Sequence, residues 1–297
     1  TVVSSGQRDW VETIGKDREE RKMVLKKAQV AERVKPGGKG GELWRRLQRD
    51  SEGWASEEED AALLLMRRIS WEPYGVLGLR EESVAGAVGA TQLRRLAQPP
   101  REGCVVVDPA GLTYIQEHGP AAAGAASRAV YDWLQLRSFS PRVQQAVTGE
   151  GKACLERYGP GKVVVHAVGP DFRENDEEPV ERLAAAYEEV LRLFVQERRE
   201  VGATELRLLP ISGGVFAGKC QGQFGHLTAQ AMCSALQTMA PGEKQVLGSP
   251  AVKLRMCIFK ATEMERFTQQ WRRASMGICI DSSSVRMAEW RIRVEED

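Results

Sequence analysis

The sequence predicts an α/β fold, a mixed and mostly parallel sheet with helices on both faces, carried by residues 75–273. Three observations predict it. Apolar runs at Cys104–Val107, Val163–Val168 and Leu206–Leu209 read as buried strands, since a strand covered on both faces is apolar throughout rather than alternating. Each run breaks into a loop rich in glycine, proline or alanine, and a stretch of helical periodicity follows each loop. Strand and helix thus alternate, the pattern of a parallel sheet joined by crossover helices.

Residues 1–74 read as a charged, tryptophan-bearing helical extension. Arg18–Lys22 and Lys26–Lys27 lie in a helix-favouring stretch with few apolar residues, and Lys35–Gly41 breaks it. Leu43, Trp44 and Leu47 recur at helical spacing. Ser56 followed by Glu57, Glu58 and Glu59 has the form of a helix start, and the helix it opens runs to about Ile69. Trp10, Trp44, Trp54 and Trp71 are four of the seven tryptophans of the chain. Tryptophans in a segment with too little apolar surface to bury them dock elsewhere, on a protein partner or on the main domain. The balance of 15 Lys/Arg against 13 Asp/Glu over residues 1–70 argues against a nucleic-acid arm, which would be basic.

In the main domain, Val84–Val88 reads as a strand and Thr91–Leu96 as a short helical turn. Arg128, Val130, Trp133 and Leu134 place a helix after Gly119–Ala126. Val180, Leu183, Ala184, Tyr187, Leu191 and Phe194 share one face of a helix over 176–199, capped by Gly202. A helix over 227–239 follows the third loop. Val252–Phe259 alternates apolar residues with Lys253 and Arg255, the pattern of a half-exposed edge strand, and 263–273 forms a closing helix. Residues 274–297 are a C-terminal tail with two strand-like pieces, Ile278–Ile280 and Trp290–Val294.

Composition excludes several classes. With 297 residues, 42% hydrophobic and 28% charged, the chain can bury a sizeable core. A net charge of +1 gives no electrostatic case for nucleic acid, and no apolar run reaches the roughly 18 residues of a membrane span. The six cysteines are scattered, without a CxxC pair. They read as buried thiols of an intracellular reducing compartment rather than as disulfides or zinc ligands. A start at Thr1 fits an organelle matrix after removal of a transit peptide. No cofactor motif is present, and His118, His166 and His226 lack metal-ligand spacing.

The loops carry the chemistry. Pro210–Lys219 opens after a buried strand with Gly213, Gly214 and Gly218, and glycine lets backbone N–H groups approach a phosphate closely. The same pattern also makes an ordinary strand-to-helix turn. Lys219 is either a phosphate neutraliser or an exposed loop lysine. His166, amid valines, reads as a hydrogen-bonded core histidine.

Four segments, in order, resemble the macro domain family, the ADP-ribose-binding α/β/α fold. Val105–Gly111 stands where the family has a strand ending in Asn-Ala-Ala-Asn. Gly119–Arg128 stands for its glycine-rich loop. Val164-Val165-His166-Ala167-Val168-Gly169-Pro170 is close to its Val-Ile-His-Thr-Val-Gly-Pro strand. Pro210–Ala217 is close to the Pro-Ala-Ile-Ser-Thr-Gly-Val-Phe-Gly loop that cradles the diphosphate. The resemblance implies a three-layer α/β/α domain. It implies phosphate binding by Ser212, Gly213, Gly214, Val215 and Phe216, with Gly111, Gly119, Ala121, Ala122 and Gly124 in the remaining ligand loops, and Phe216 against the distal ribose. The departures are equally informative. Gly89 stands in place of the aspartate that reads adenine, Asp108 and Gly111 replace the two asparagines, Ala123 replaces an acidic residue of some hydrolases, and Pro120 lacks an N–H. Asp108 is the candidate to orient a water for hydrolysis, against a structural role in capping the loop. These departures imply a degenerate, non-catalytic domain acting as a structural or docking subunit of a larger assembly. The alternatives are a module that binds ADP-ribose or another phosphorylated nucleotide, and an ADP-ribosyl hydrolase.

Overall fold

The computed structural model describes residues 57–83, 92–96, 98–260 and 263–275. Trp10, Trp44, Trp54, Gly89, the strand expected over 84–88 and the tail from 276 to 297 lie outside the described residues.

Six strands form one sheet: β1 (Ser70–Pro73), β4 (Cys104–Pro109), β5 (Ala153–Gly159), β6 (Lys162–Ala167), β7 (Glu205–Leu208) and β8 (Lys253–Ile258), in the order β1-β8-β7-β4-β6-β5. All neighbours are parallel except β5 and β6, which form an antiparallel hairpin. The three strands expected from apolar runs are therefore adjacent at the centre. Val105, Val106 and Val107 are fully buried, as are Val164 and Val165, which is why β4 and β6 are runs of valine, while β7 sets its buried Leu206 and Leu208 between Glu205 and Arg207. The helices are α1 (Glu57–Arg68), α2 (Ala125–Leu134), α3 (Pro141–Ala146), α4 (Pro179–Val201), α5 (Phe224–Thr238), α6 (Pro241–Gly248) and α7 (263–275). They flank the sheet: α2 packs on β4, α3 on β5 and α4 on β5 and β6, while α1, α4, α5 and α6 pack on one another. None is long and apolar enough to cross a membrane.

Sequence expectation and structure part at three places. Residues 92–96 are not a helical turn but β3 (Gln92–Leu96), antiparallel to β2 (Leu79–Ser83) in a separate small sheet. β8 is not an edge strand, because it lies between β1 and β7. Of its two charges, Lys253 is exposed and Arg255 belongs to an ion-pair network across three strands. Arg255 pairs with Glu72 of β1 and with Glu205 of β7 at 3.2 Å, and Glu205 also takes Arg207 Nε at 2.7 Å. Buried Arg207 donates further to the carbonyls of Val76 and Gln98 at 3.1 and 2.7 Å. Charges inside a sheet that satisfy one another mimic the periodicity of an exposed face. Finally, Trp71 of β1 belongs to the domain's own aromatic cluster, 5.2 Å from the Trp271 ring and 5.7 Å from Phe267. Helix α1 and strand β1, both before residue 75, are likewise built into this domain.

Cys104 on β4 and Cys257 on β8 are buried thiols, and burial pushes both up from 9.0 to about 12, with the Glu205 carboxylate adding to the effect at Cys104. A folded-state pKa above the unfolded one contributes stability that is complete below pH 9 and is lost as pH rises toward 12. The denaturant midpoint is therefore expected to fall above pH 9, by up to about 1.4 kcal/mol per pH unit for each thiol. The Cys104→Ala/Cys257→Ala double variant should show a shallower fall. An equal slope in both proteins would refute the assignment.

Candidate functional site

The parallel strands end on one edge of the sheet, where open α/β sheets place their ligands. There β4 opens into Ala110–Leu112, β6 into Val168–Arg173, and β7 into Leu209–Val215.

The β7 loop is fixed from beneath by Tyr187. This fully buried side chain of α4 donates its hydroxyl to the Leu209 carbonyl and accepts from the Ile211 N–H, both at 3.0 Å. Burial pushes its pKa up, which keeps the phenol protonated for that double role. The chain then turns sharply. Ser212 adopts φ 64, a left-handed conformation uncommon outside glycine, and is buried. Its hydroxyl presses on the end of β6, where a Cβ at Gly169 would lie 2.3 Å from Ser212 Oγ. Gly213 is equally confined, with Pro210 Cβ 2.8 Å from where its own Cβ would stand. Gly214 is not: nothing lies within 4 Å of its Cβ position. Val215 beside it is 71% exposed, although it is apolar. A tight 3-10 segment, Val215–Gln223, leads into α5 and is kinked at Gly218.

The second loop presents the same kind of open surface. Gly119, at φ 74, and Gly124 have nothing within 4 Å of their Cβ positions. Ala121 and Ala122 are exposed and Ala123 is buried. Arg128 of α2 holds this loop by donating to the Ala121 carbonyl at 2.8 Å, and Ser127 ties α2 to the end of β4 through the Pro109 carbonyl at 3.2 Å. The first and third loops meet directly: a Cβ on Gly111 would stand 3.7 Å from Phe216 Cζ and 2.8 Å from the Tyr114 ring. Phe216 is in turn tied to the β6 loop, its carbonyl accepting the Phe172 N–H at 2.9 Å.

Asp108 does not face these loops. Its carboxylate is fully buried and accepts a hydrogen bond from His166 Nδ1 at 2.7 Å, across the β4–β6 register that sets the two residues side by side. The other ring nitrogen, Nε2, lies 2.7 Å from the Tyr158 hydroxyl. Burial pushes Tyr158 up, with the Glu156 and Asp108 carboxylates adding to it, so the phenol stays protonated and is able to donate to Nε2. In that arrangement Nδ1 carries the proton shared with Asp108. Asp108 Oδ1 and the Tyr131 hydroxyl complete this pocket next to each other, outside ideal hydrogen-bond geometry, and burial together with that carboxylate pushes the Tyr131 phenol up. His166 is thus a hydrogen-bonded core histidine, and Asp108 is its acceptor.

The remaining candidates separate. Lys219 is exposed and pairs with Asp176 at 3.0 Å. His118 is exposed beside Tyr114, and His226 lies half-buried on α5. Sequence reasoning overlooked Tyr114, Tyr187 and the Asp171–Arg173 turn. The last of these was signalled by an acid and a base two residues apart, directly after Gly169-Pro170.

No protein-family model matches the sequence, and no curated protein matches it. Among solved structures, the chain is similar to the Trypanosoma brucei macrodomain in complex with ADP-ribose, at 16% identity and a TM-score of 0.40, covering 71% of this chain and 70% of that one. It is also similar to the Oceanobacillus iheyensis macrodomain with ADP, at 15% identity and a TM-score of 0.40, over 68% and 99% of the two chains. A third similar structure is the alphavirus P23pro-zbd, at 20% identity and a TM-score of 0.41 over 69% of this chain. The match spans 24% of the alphavirus chain.

Proposed function

We propose that this domain is a macro-domain-like module that binds ADP-ribose or a related nucleoside diphosphate without hydrolysing it. The observation that carries the reading is the contrast among the loop glycines. Gly169 and Gly213 are wedged against protein atoms, whereas Gly119, Gly124 and Gly214, like Gly149, Gly159 and Gly222 outside the family-like loops, have nothing within 4 Å of their Cβ positions, and it is the coincidence of that openness with the loops after β4 and β7 that supports the reading. Glycine where the backbone is crowded serves folding. Glycine where the backbone is bare leaves room for something that comes from outside. The strained, buried Ser212 holds Gly214 and Val215 in position, so that their N–H groups can meet a diphosphate. The identity of the ligand follows the loop resemblance.

The non-hydrolytic part of the reading rests on two positions. Asp108 is turned inward to His166, so it offers no carboxylate to a water beside the ligand. Gly111 stands against the Tyr114 ring, which leaves little room for the polar side chain the resemblance would put there.

Gly214→Leu tests the site. Because the added side chain enters open space, stability is expected to change by less than about 1 kcal/mol, while calorimetric titration with ADP-ribose should show at least about a tenfold loss of affinity. Unchanged affinity in the variant would move the ligand elsewhere. A folded chain that binds no ADP-ribose at all would favour the other reading, a scaffold in a larger assembly joined to protein partners through residues 1–70.

A further inference from the structure

We propose that Arg173 sets the ligand specificity of this site, selecting molecules that end in an anionic phosphate over those that end in a neutral sugar. The inference rests on the proposed site and concerns one end of it. Arg173 follows the β6 loop, and its guanidinium carbon lies 4.8 Å from the centre of the Phe216 ring. A cation over a ring face is a favourable arrangement, and it also covers that face. A neutral sugar reaching Phe216 must displace the guanidinium, whereas an anionic group meets it as a partner.

The arginine is held in place rather than waving in solvent. Asp171 takes Nε at 2.9 Å and Nη2 at 2.5 Å, and the same carboxylate also accepts the Arg173 backbone N–H at 3.0 Å. The Phe172 N–H bond to the Phe216 carbonyl locks this turn to the β7 loop, so ring and guanidinium keep their relation. One edge of the fork is thus occupied. Among the described residues Nη1 donates to no protein acceptor, and the side chain is 47% exposed. A planar guanidinium fixed along one edge with the other free is suited to accept a phosphate, because the geometry for a charge-assisted bond is already set. Tyr114, at the meeting of Gly111 and Phe216, borders the same end.

ADP and ADP-ribose make the test, since they share a nucleoside diphosphate and differ at this end: ADP finishes in a phosphate, ADP-ribose in a sugar. Titration calorimetry on the full chain is expected to show ADP binding more tightly than ADP-ribose. Arg173→Ala should lower the ADP to ADP-ribose affinity ratio by about tenfold or more, and Arg173→Lys, which keeps the charge and loses the fork, should fall between. Matching thermal melts of wild type and Arg173→Ala establish that both are folded. If both ligands bind and the ratio is the same in wild type and Arg173→Ala, Arg173 is a surface ion pair only and the proposal is wrong while the site survives. If neither ligand binds the folded wild type, both the site and the proposal fail.

Discussion

Replacing His166 by alanine is expected to destabilise the domain by about 3–5 kcal/mol, the cost of breaking a buried hydrogen-bonded pair by removing one partner. The residue and its acceptor Asp108 are both fully buried, 2.7 Å apart, and Asp108 Oδ1 already lacks a hydrogen bond. The Tyr131 hydroxyl, beside the same carboxylate, is the one neighbour able to offset part of the loss. Tyr158 would lose its acceptor as well. For a domain of this size the melting temperature should drop by on the order of 10 °C. Asp108→Asn should cost less, because an amide oxygen can still accept from Nδ1 and its nitrogen can donate within the pocket. Guanidinium unfolding of the three proteins measures this directly. A His166→Ala loss below about 1 kcal/mol would mean that water or a rearrangement satisfies Asp108, and that the three side chains do not act as a unit.

Gly218→Ala is expected to cost about 2–4 kcal/mol and to abolish ligand binding with it. The residue sits at φ 50 and ψ −129, which side chains rarely adopt. A Cβ there would stand 2.4 Å from the Phe172 carbonyl oxygen and 2.8 Å from the Arg173 nitrogen, both backbone atoms with nowhere to move. Relief requires the Phe172–Arg173 strip to part from the β7 loop, which breaks the bond between the Phe172 N–H and the Phe216 carbonyl. Gly218 and Gly214 thus make opposite controls four residues apart, one with losses in both stability and binding, the other in binding alone. Chemical unfolding beside ADP-ribose titration separates them. Wild-type stability in Gly218→Ala would show that the β6 loop is not held against the kink.

How far the sequence discloses this molecule depends on whether neighbours in space are needed to explain a pattern. The valines of β4 and β6 are legible alone, since burial on both faces leaves its mark on every residue. So is the amphipathic α4, whose apolar stripe contains Tyr187. β8 misleads because Arg255 answers to Glu72 and Glu205, residues far away in sequence. β3 misleads because a five-residue strand with Arg94 and Arg95 at its centre owes its form to pairing with β2 rather than to its own apolar content. At the site, the loop glycines are visible in sequence, but their division into wedged and open is not. That division depends on what stands a few ångströms from a missing Cβ. Asp108 shows the same limit: position in a motif suggested a group facing the ligand, and the strand pleat turned it to His166 instead.

The placement of β1 beside β8 has a consequence for how the chain is made. Among the described residues Ser70 pairs with Arg255, so β1 has no strand beside it until β8 has been made. Until then β1 carries Trp71 with neither Trp271 nor Phe267 to cover it. Long-range parallel pairing of this kind is slow, since the whole intervening chain must be ordered before the contact forms. Nascent chains that stop short of β8 therefore display a bare parallel edge on β7 and an uncovered tryptophan, the features by which quality-control machinery recognises unfinished proteins.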